Sequence, residues 1–318
     1  MEQAAYDLKR LFALREALET LDPAAPPTAR LLHPQAVAPL RRIGILCGSF
    51  NPLTLAHTKL AARACQVFQL ERVFFTLAKV TVDKEQVTGL GLEDRLLLLS
   101  LYAQQHDHVG VAVVNRGLYF EQAQALRALL GEQSELSFVV GMDKLLQILD
   151  PRYYQDREAA LRQLFALTSL IVANRGDLDQ ESCTRLLDRP ENRPYHSHIR
   201  FFRLPAAVAD LSATAIRNAL AAGEEVSDQV PAETAVFLAE THAYSPPLRS
   251  GEGAIDAYAV RLACLASLYP VRAWAAQAVD FRRLLRVALT PGEKGRALRQ
   301  VSSATDLLQL LRACPGDR

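Results

Sequence analysis

The chain lacks an excess of charge of either sign. Thirty-six lysines and arginines stand against thirty-five aspartates and glutamates among 318 residues, for a net charge of +1 at pH 7. A broad nucleic-acid or membrane footprint needs a strong basic excess, so the composition argues against both kinds of partner. Any anion site must therefore be local.

Long apolar runs and paired cysteines are missing too. No stretch approaches the roughly 20 apolar residues that span a bilayer, and the first residues, with Glu2 and Asp7, lack a signal-peptide profile. The five cysteines are odd in number, scattered and without a C-x-x-C pair, so we expect buried thiols rather than disulfides or a zinc site. A cytoplasmic protein without a dedicated protein metal site is the expectation.

Half of the residues are hydrophobic, which is enough for a large core. A leucine stripe that includes Phe12 predicts a helix within the first 21 residues, ended by the proline-rich segment 22–27. From residue 43, apolar stretches of strand length alternate with helical patterns, and continuously apolar strands are typical of parallel sheets covered on both faces. The predicted strands are 43–47, 72–77, 109–114, 136–140, 169–173 and 199–204. The predicted helices are 56–69, 93–105, 120–131, at least two within 142–166, and 179–188.

These patterns predict an α/β fold, a doubly wound parallel sheet with an N-terminal helix and a C-terminal helical extension. We divide the chain into an N-terminal helix and linker (1–40), a catalytic domain (41–247) and a helical extension of about three helical stretches (248–318). In doubly wound sheets, ligands bind beyond the carboxyl ends of the strands, where the strand order reverses.

The segment Gly48-Ser49-Phe50-Asn51-Pro52-Leu53-Thr54-Leu55-Ala56-His57 joins the first predicted strand to a helix. Backbone N–H groups and the positive end of that helix converge there, and Gly48 lets a phosphate approach closely. Thr54 and His57 are three residues apart and can face the same phosphates. A nucleoside triphosphate is the predicted ligand, although Thr54 could also serve as a simple N-cap.

A second helix start, Leu211-Ser212-Ala213-Thr214-Ala215-Ile216-Arg217, carries two hydroxyls and a guanidinium. Capping alone would explain one hydroxyl, but Arg217 one turn into the helix can fork onto phosphate oxygens. Two such helix starts predict one polyphosphate held from two sides, between His57 and Arg217.

Together these motifs resemble the nucleotidyltransferase superfamily with G-[ST]-F-[DN]-P-x-[HT]-x-x-H at its first loop and I-S-[ST]-T-x-I-R at its last. The chain is most similar to the nicotinamide mononucleotide adenylyltransferases over about residues 42–246, including the Gly-x-Asp sequence at Gly141 and Asp143. The resemblance implies a Rossmann-like nucleotidyltransferase fold, Mg²⁺ as cofactor and catalytic roles for His57, Arg217 and Thr54. The implied ATP-binding residues are Gly48, Ser49, Phe50, His57, Gly141, Asp143, Ser212, Thr214 and Arg217. The implied mononucleotide-binding residues are Ser49, Asn51, Lys79, Lys84, Arg95, Tyr153 and Tyr154.

The resemblance implies transfer of AMP from ATP to nicotinamide or nicotinate mononucleotide, with a homo-oligomer plausible by family analogy. Ala213 departs from the motif, and the only tryptophan, Trp274, lies in the extension rather than after Asp143. Two alternatives therefore remain open. One is a related transferase that uses pantetheine phosphate as acceptor or CTP as donor, and the other is a nucleotide-binding regulator without activity.

Overall fold

The computed structural model of the chain describes residues 4–34, 39–80, 89–174, 180–205, 211–251, 253–301 and 303–312. The strands are β1 Ala29–His33, β2 Arg42–Cys47, β3 Arg72–Ala78, β4 Val109–Val114, β5 Glu135–Gly141, β6 Thr168–Asn174, β7 Ile199–Arg203, β8 Leu248–Ser250 and β9 Gly253–Ile255. The helices of the main domain are α1 Leu8–Glu19, α2 Leu55–Phe68, α3 Leu92–Gln104, α4 Tyr119–Leu130, α5 Met142–Leu149, α6 Arg157–Leu167, α7 Gln180–Leu187, α8 Ala213–Ala221 and α9 Ala232–Thr241. Those of the extension are α10 Ala257–Leu268, α11 Arg272–Ala278, α12 Phe281–Leu289, α13 Glu293–Arg299 and α14 Ala304–Arg312.

A seven-stranded sheet in the order β1-β4-β3-β2-β5-β6-β7 forms the centre of the molecule. Strands β2 to β7 are parallel to one another, which confirms the predicted doubly wound architecture. Strands β2, β3 and β4 run outward in one direction and β5, β6 and β7 in the other, so the strand order reverses between β2 and β5. The carboxyl ends of these two strands are the expected ligand site.

Alternate residues of each strand face opposite layers of helices. Phe74 belongs to the core under α4, α5 and α6, whereas its neighbour Phe75 belongs to the core under α2 and α3. Ile45 pairs with Phe74 on one side and with Phe138 on the other, and all three are fully buried. Burial on both faces explains why these strands are continuously apolar.

The N-terminal segment differs from the prediction of a helix followed by a linker. Its helix forms as predicted, but residues 29–33, within the predicted linker, form β1, an antiparallel edge strand paired with β4. The sheet is therefore mostly, not wholly, parallel. The Thr28 N–H donates to Asn115 Oδ1 (2.8 Å) and the Asn115 N–H to the Thr28 carbonyl (3.1 Å), so the strand is fixed at its start.

The extension packs back onto the main domain, and its described residues form five helices where about three helical stretches were predicted. Helix α1 packs against both α3 and α11, and Phe12 of α1 meets Tyr269 edge to face at 5.8 Å. Among the described residues no helix combines the length and hydropathy needed to cross a bilayer.

Candidate nucleotide-binding site

The loop after β2 takes a shape that buries its aromatic residue and exposes its serine. Phe50 has a positive φ of 45° and is 1% exposed. Its ring stacks on Phe75 at 5.4 Å and lies 5.1 Å from the His57 ring. A Cβ on Gly48 would come within 3.3 Å of the Phe50 ring, so the glycine permits this tight turn. Phe50 therefore supports the loop from beneath, while Ser49 is exposed.

His57 is oriented by Thr54, the N-cap of α2. The Thr54 backbone N–H donates to His57 Nδ1 at 3.1 Å, and Thr54 Oγ1 lies 2.8 Å from the same nitrogen. An Nδ1 that accepts an N–H bond carries no proton, so the neutral ring has its proton on Nε2. The buried Thr54 thus fixes both the ring position and the tautomer, which makes His57 a hydrogen-bond donor through Nε2.

Arg217 joins the two motifs, which are far apart in sequence. Its Nη1 donates to the Asn51 carbonyl oxygen at 2.8 Å, and its Nη2 donates to Thr214 Oγ1 at 3.1 Å. Ser212 caps the same helix, since its Oγ accepts the Ala215 N–H at 3.0 Å. The guanidinium therefore lies beside the loop that carries His57.

Asn51 is the point at which several segments meet. Its side-chain Oδ1 accepts the Leu90 N–H at 3.0 Å and a short hydrogen bond from the Tyr244 hydroxyl. At 2% exposure it is buried, although it was predicted to contact the mononucleotide. What these bonds show is a residue that holds the loop against 89–91 and against the segment after α9. Burial raises the pKa of Tyr244 well above its usual range, so its hydroxyl keeps the proton that it donates.

Arg95 also supports the loop. It is 5% exposed, its Nε donates to the Leu90 carbonyl at 2.8 Å, and its Nη1 donates to the Ser49 carbonyl at 3.4 Å. Burial lowers its pKa from the usual value, since a charged guanidinium loses solvation there. The structure places this arginine under the loop, with its bonds directed to main-chain carbonyls.

Asp143 lies on the other side of the reversal point, in the first turn of α5 directly after β5. Its side chain is exposed. A Cβ on Gly141 would lie 2.6 Å from Asp143 Oδ1, so the glycine gives the carboxylate room. Gly141 and Asp143 follow a strand, as predicted, and the structure shows that this strand is the neighbour of β2.

The structure does not bring the remaining predicted residues to the loop by any described bond. Lys79 donates from Nζ to the Leu21 carbonyl at 2.8 Å, which ties β3 to the end of the N-terminal helix. Tyr154 donates to the Ile148 carbonyl at 2.8 Å, and Tyr153 lies under the Arg152 guanidinium at 4.9 Å. Lys84 lies outside the described residues.

Sequence reasoning missed the segment 89–91. Gly89 has a φ of 115°, and a Cβ there would lie 2.6 Å from the Tyr244 ring and 2.9 Å from Asn51 Oδ1. Gly89 in Gly89-Leu90-Gly91 was the available signal, because a positive φ with such close neighbours needs a residue without a side chain.

Comparison with known proteins identifies the family of this chain. The cytidylyltransferase-like family model matches residues 45–219, more than half of the chain and the part that contains both motifs. The chain belongs to this family. The match confirms the nucleotidyltransferase resemblance read from the two helix starts.

The chain is also similar to individual curated proteins of this kind. The chain is 28% identical over 211 residues to the probable nicotinate-nucleotide adenylyltransferase of Synechococcus sp. (strain JA-3-3Ab), covering 65% of this chain and 96% of that protein. It is 29% identical over 215 residues to the probable nicotinate-nucleotide adenylyltransferase of Desulfitobacterium hafniense (strain DSM 10664 / DCB-2), covering 65% and 97%. Among solved structures, the Plasmodium falciparum nicotinic acid mononucleotide adenylyltransferase complexed with NaAD matches with a TM-score of 0.49 at 14% identity, covering 64% of this chain and 97% of that one.

Proposed function

We propose that this chain transfers AMP from ATP to nicotinate or nicotinamide mononucleotide, forming the dinucleotide and releasing pyrophosphate. The observation that carries the proposal is the bond from Arg217 Nη1 to the Asn51 carbonyl, which puts a guanidinium beside the loop of His57. The names of the curated relatives favour the nicotinate form of the acceptor and ATP over CTP as donor.

In this reaction an acceptor phosphate oxygen attacks the α-phosphorus of ATP in line with the departing pyrophosphate. The new bond joins that oxygen to the α-phosphorus, and the bond between the α-phosphorus and the bridging oxygen breaks. An acceptor phosphate is already ionised at neutral pH, so no general base is needed, and catalysis consists of positioning and charge stabilisation.

His57, Arg217 and the two helix starts divide this work. His57, a neutral donor through Nε2, would stabilise the charge that develops on the α-phosphate. Arg217 would hold the β- and γ-phosphates with its planar fork, assisted by the hydroxyl of Thr214. The positive ends of α2 and α8 add fixed dipoles.

Mg²⁺ suits this donor set. The described residues contain no group of three or more His, Cys, Asp or Glu that could cage a metal, and Mg²⁺ is usually bound by one or two carboxylates together with substrate phosphates. Asp143, exposed beside Gly141, is the carboxylate that would hold it. When bound, the ion would neutralise phosphate charge.

A substrate panel tests the proposal. The full chain is incubated with ATP or CTP and with nicotinate mononucleotide, nicotinamide mononucleotide or pantetheine phosphate, and pyrophosphate and product mass are measured. We expect the highest rate with ATP and nicotinate mononucleotide. Product only with pantetheine phosphate or CTP would replace the proposal with the related transferase, and ATP binding without any product would replace it with the inactive regulator.

The same assay tests the role of His57. His57→Ala is expected to lower kcat by roughly 10²- to 10³-fold, as for removal of a transition-state donor. The matched control is His108→Ala, which removes an exposed imidazole just before β4, at the amino ends of the parallel strands, whereas His57 follows the carboxyl end of β2. Equal turnover of His57→Ala and the control would end the assignment.

A further inference from the structure

Residues 89–91 lie between the loop of His57 and the C-terminal extension, and they are bonded to both. The Leu90 N–H donates to Asn51 Oδ1 at 3.0 Å and to the Tyr244 hydroxyl oxygen at 3.3 Å. The next N–H, that of Gly91, donates to the hydroxyl oxygen of Tyr258 at 2.9 Å. Two successive peptide groups therefore connect the loop on one side with helix α10 on the other.

The Tyr258 hydroxyl is itself firmly held. It donates to Asp94 Oδ2 at 2.7 Å. Arg261, one turn further along α10, donates hydrogen bonds to both oxygens of that carboxylate, at 2.7 and 3.2 Å. Arg261 also donates to the Ala5 carbonyl at 2.6 Å. Asp94 and Arg261 are each 1% exposed, so water does not compete for these bonds.

Burial and the charge of Asp94 raise the pKa of Tyr258 far above its usual value. The hydroxyl therefore keeps its proton at neutral pH. Its hydrogen points to Asp94 and its oxygen accepts from Gly91, so one side chain serves two partners in a fixed geometry.

On the side of the loop that carries His57, Asn51 connects two segments by hydrogen bonds. Asn51 Oδ1 holds Leu90 while the Asn51 carbonyl oxygen holds Arg217 at 2.8 Å. A Cβ on Gly89 would lie 2.6 Å from the Tyr244 ring and 2.9 Å from Asn51 Oδ1, so the backbone at 89 packs near both, and a shift of 89–91 would disturb the bond from Leu90 to Asn51. A displacement at Gly91 thus reaches the guanidinium that is assigned to the triphosphate.

We propose that Tyr258 is a positioning residue for the nucleotide site: its hydroxyl, anchored on Asp94, fixes 89–91 and, through Asn51, the place of Arg217. The inference rests on the proposed function, because it takes Arg217 as a ligand of ATP. Helix α10 lies beyond residue 219, where the family match ends. The extension therefore adds a support for the loop from outside the matched region.

The test is the affinity of the full chain for ATP, measured by calorimetry without acceptor, and the KM for ATP in the pyrophosphate assay. Tyr258→Phe removes only the hydroxyl, and we expect both constants to rise roughly tenfold. Tyr269→Phe is the matched control, since Tyr269 lies in the same extension and its hydroxyl is bonded to the exposed Glu19 of α1. For this variant we expect less than about a twofold change in either constant. Leu268→Ala, a fully buried change at the end of α10, controls for lost stability alone.

The outcomes separate the inference from the proposed function. If the chain forms the dinucleotide and Tyr258→Phe binds ATP as the wild type does, the inference is wrong and the function stands. If Leu268→Ala weakens ATP binding as much as Tyr258→Phe, the effect is general instability and the inference is also wrong. If the wild type forms no dinucleotide, the function fails, while a selective loss of ATP affinity in Tyr258→Phe would still support the positioning role.

Discussion

The ion pair between Asp94 and Arg261 gives a prediction whose size follows from its burial. Arg261→Met keeps an unbranched stem of similar length but removes the guanidinium, leaving the Asp94 carboxylate buried with only the Tyr258 hydroxyl as its described donor. Removing one partner of a buried pair costs about 3–5 kcal/mol. For a chain of this length that corresponds to a fall in melting temperature of about 4–8 °C.

The direction of the charge effect supports this figure. Burial by itself lowers the pKa of Arg261, and the attraction and hydrogen bonds of Asp94 outweigh that effect, so the net pKa is raised. The charged pair is therefore stabilised in place. Replacing both partners removes both charges, so Arg261→Met/Asp94→Leu is expected to be at least about 1 kcal/mol more stable than Arg261→Met alone.

Urea unfolding followed by circular dichroism measures these differences, with the exposed pair Arg272 and Glu16 as control. That pair is 2.6 Å apart but about half exposed on both sides, with side-chain exposures of 44% and 51%. Arg272→Met is expected to cost less than about 1 kcal/mol. A double variant less stable than Arg261→Met, or a loss in Arg272→Met as large as that in Arg261→Met, would refute the reasoning.

Two further predictions test the loop and the thiols. Gly89→Ala is expected to lower the free energy of unfolding by about 2–3 kcal/mol and to weaken ATP binding, since it combines a positive φ with a clash on Tyr244. The control Gly131→Ala, with a φ of 98° and nothing within 4 Å, should cost only about 1 kcal/mol. Equal melting temperatures of the two variants would show that the clash with Tyr244 is unimportant. Burial raises the pKa of Cys65 to about 11, so its alkylation by iodoacetamide should be slow at pH 8, and the rate should rise about tenfold per pH unit up to pH 10. Mass spectrometry measures this rate. A rate at pH 8 equal to that of the urea-unfolded chain would contradict the prediction.

The sheet could be predicted from sequence because its signals are local. Strands such as Val73-Phe74-Phe75 are apolar without a break, and the motifs at Gly48 and Ser212 each lie within one strand-to-helix junction. Strand β1 could not be predicted in this way. It is five residues long, follows a proline-rich segment and is only half buried, so pairing with β4 rather than its own pattern makes it a strand.

The site residues divide along the same line. His57 and Thr54 belong to one compact motif, and their spacing predicts that they face the same side. Arg217 belongs to a second motif, and its place beside them was inferred because both motifs are helix starts of the kind that binds phosphate. Lys79 and Arg95 were predicted to face a mononucleotide. In the structure Lys79 donates to the Leu21 carbonyl and Arg95 donates to the Ser49 carbonyl, both distant in sequence, and no local pattern records such partners. Long-range partners of charged side chains are set by tertiary packing and cannot be predicted from the sequence.

The contact between Arg261 and the Ala5 carbonyl spans 256 residues. Because synthesis proceeds from the N-terminus, a nascent chain can assemble the parallel strands long before residue 261 leaves the ribosome. During that interval the Asp94 carboxylate, in the first turn of α3, has no guanidinium to meet. Residues 257–318 therefore complete the fold last, and a chain cut short before α10 would leave its ribosome with the sheet formed but with an unpaired carboxylate at the start of α3.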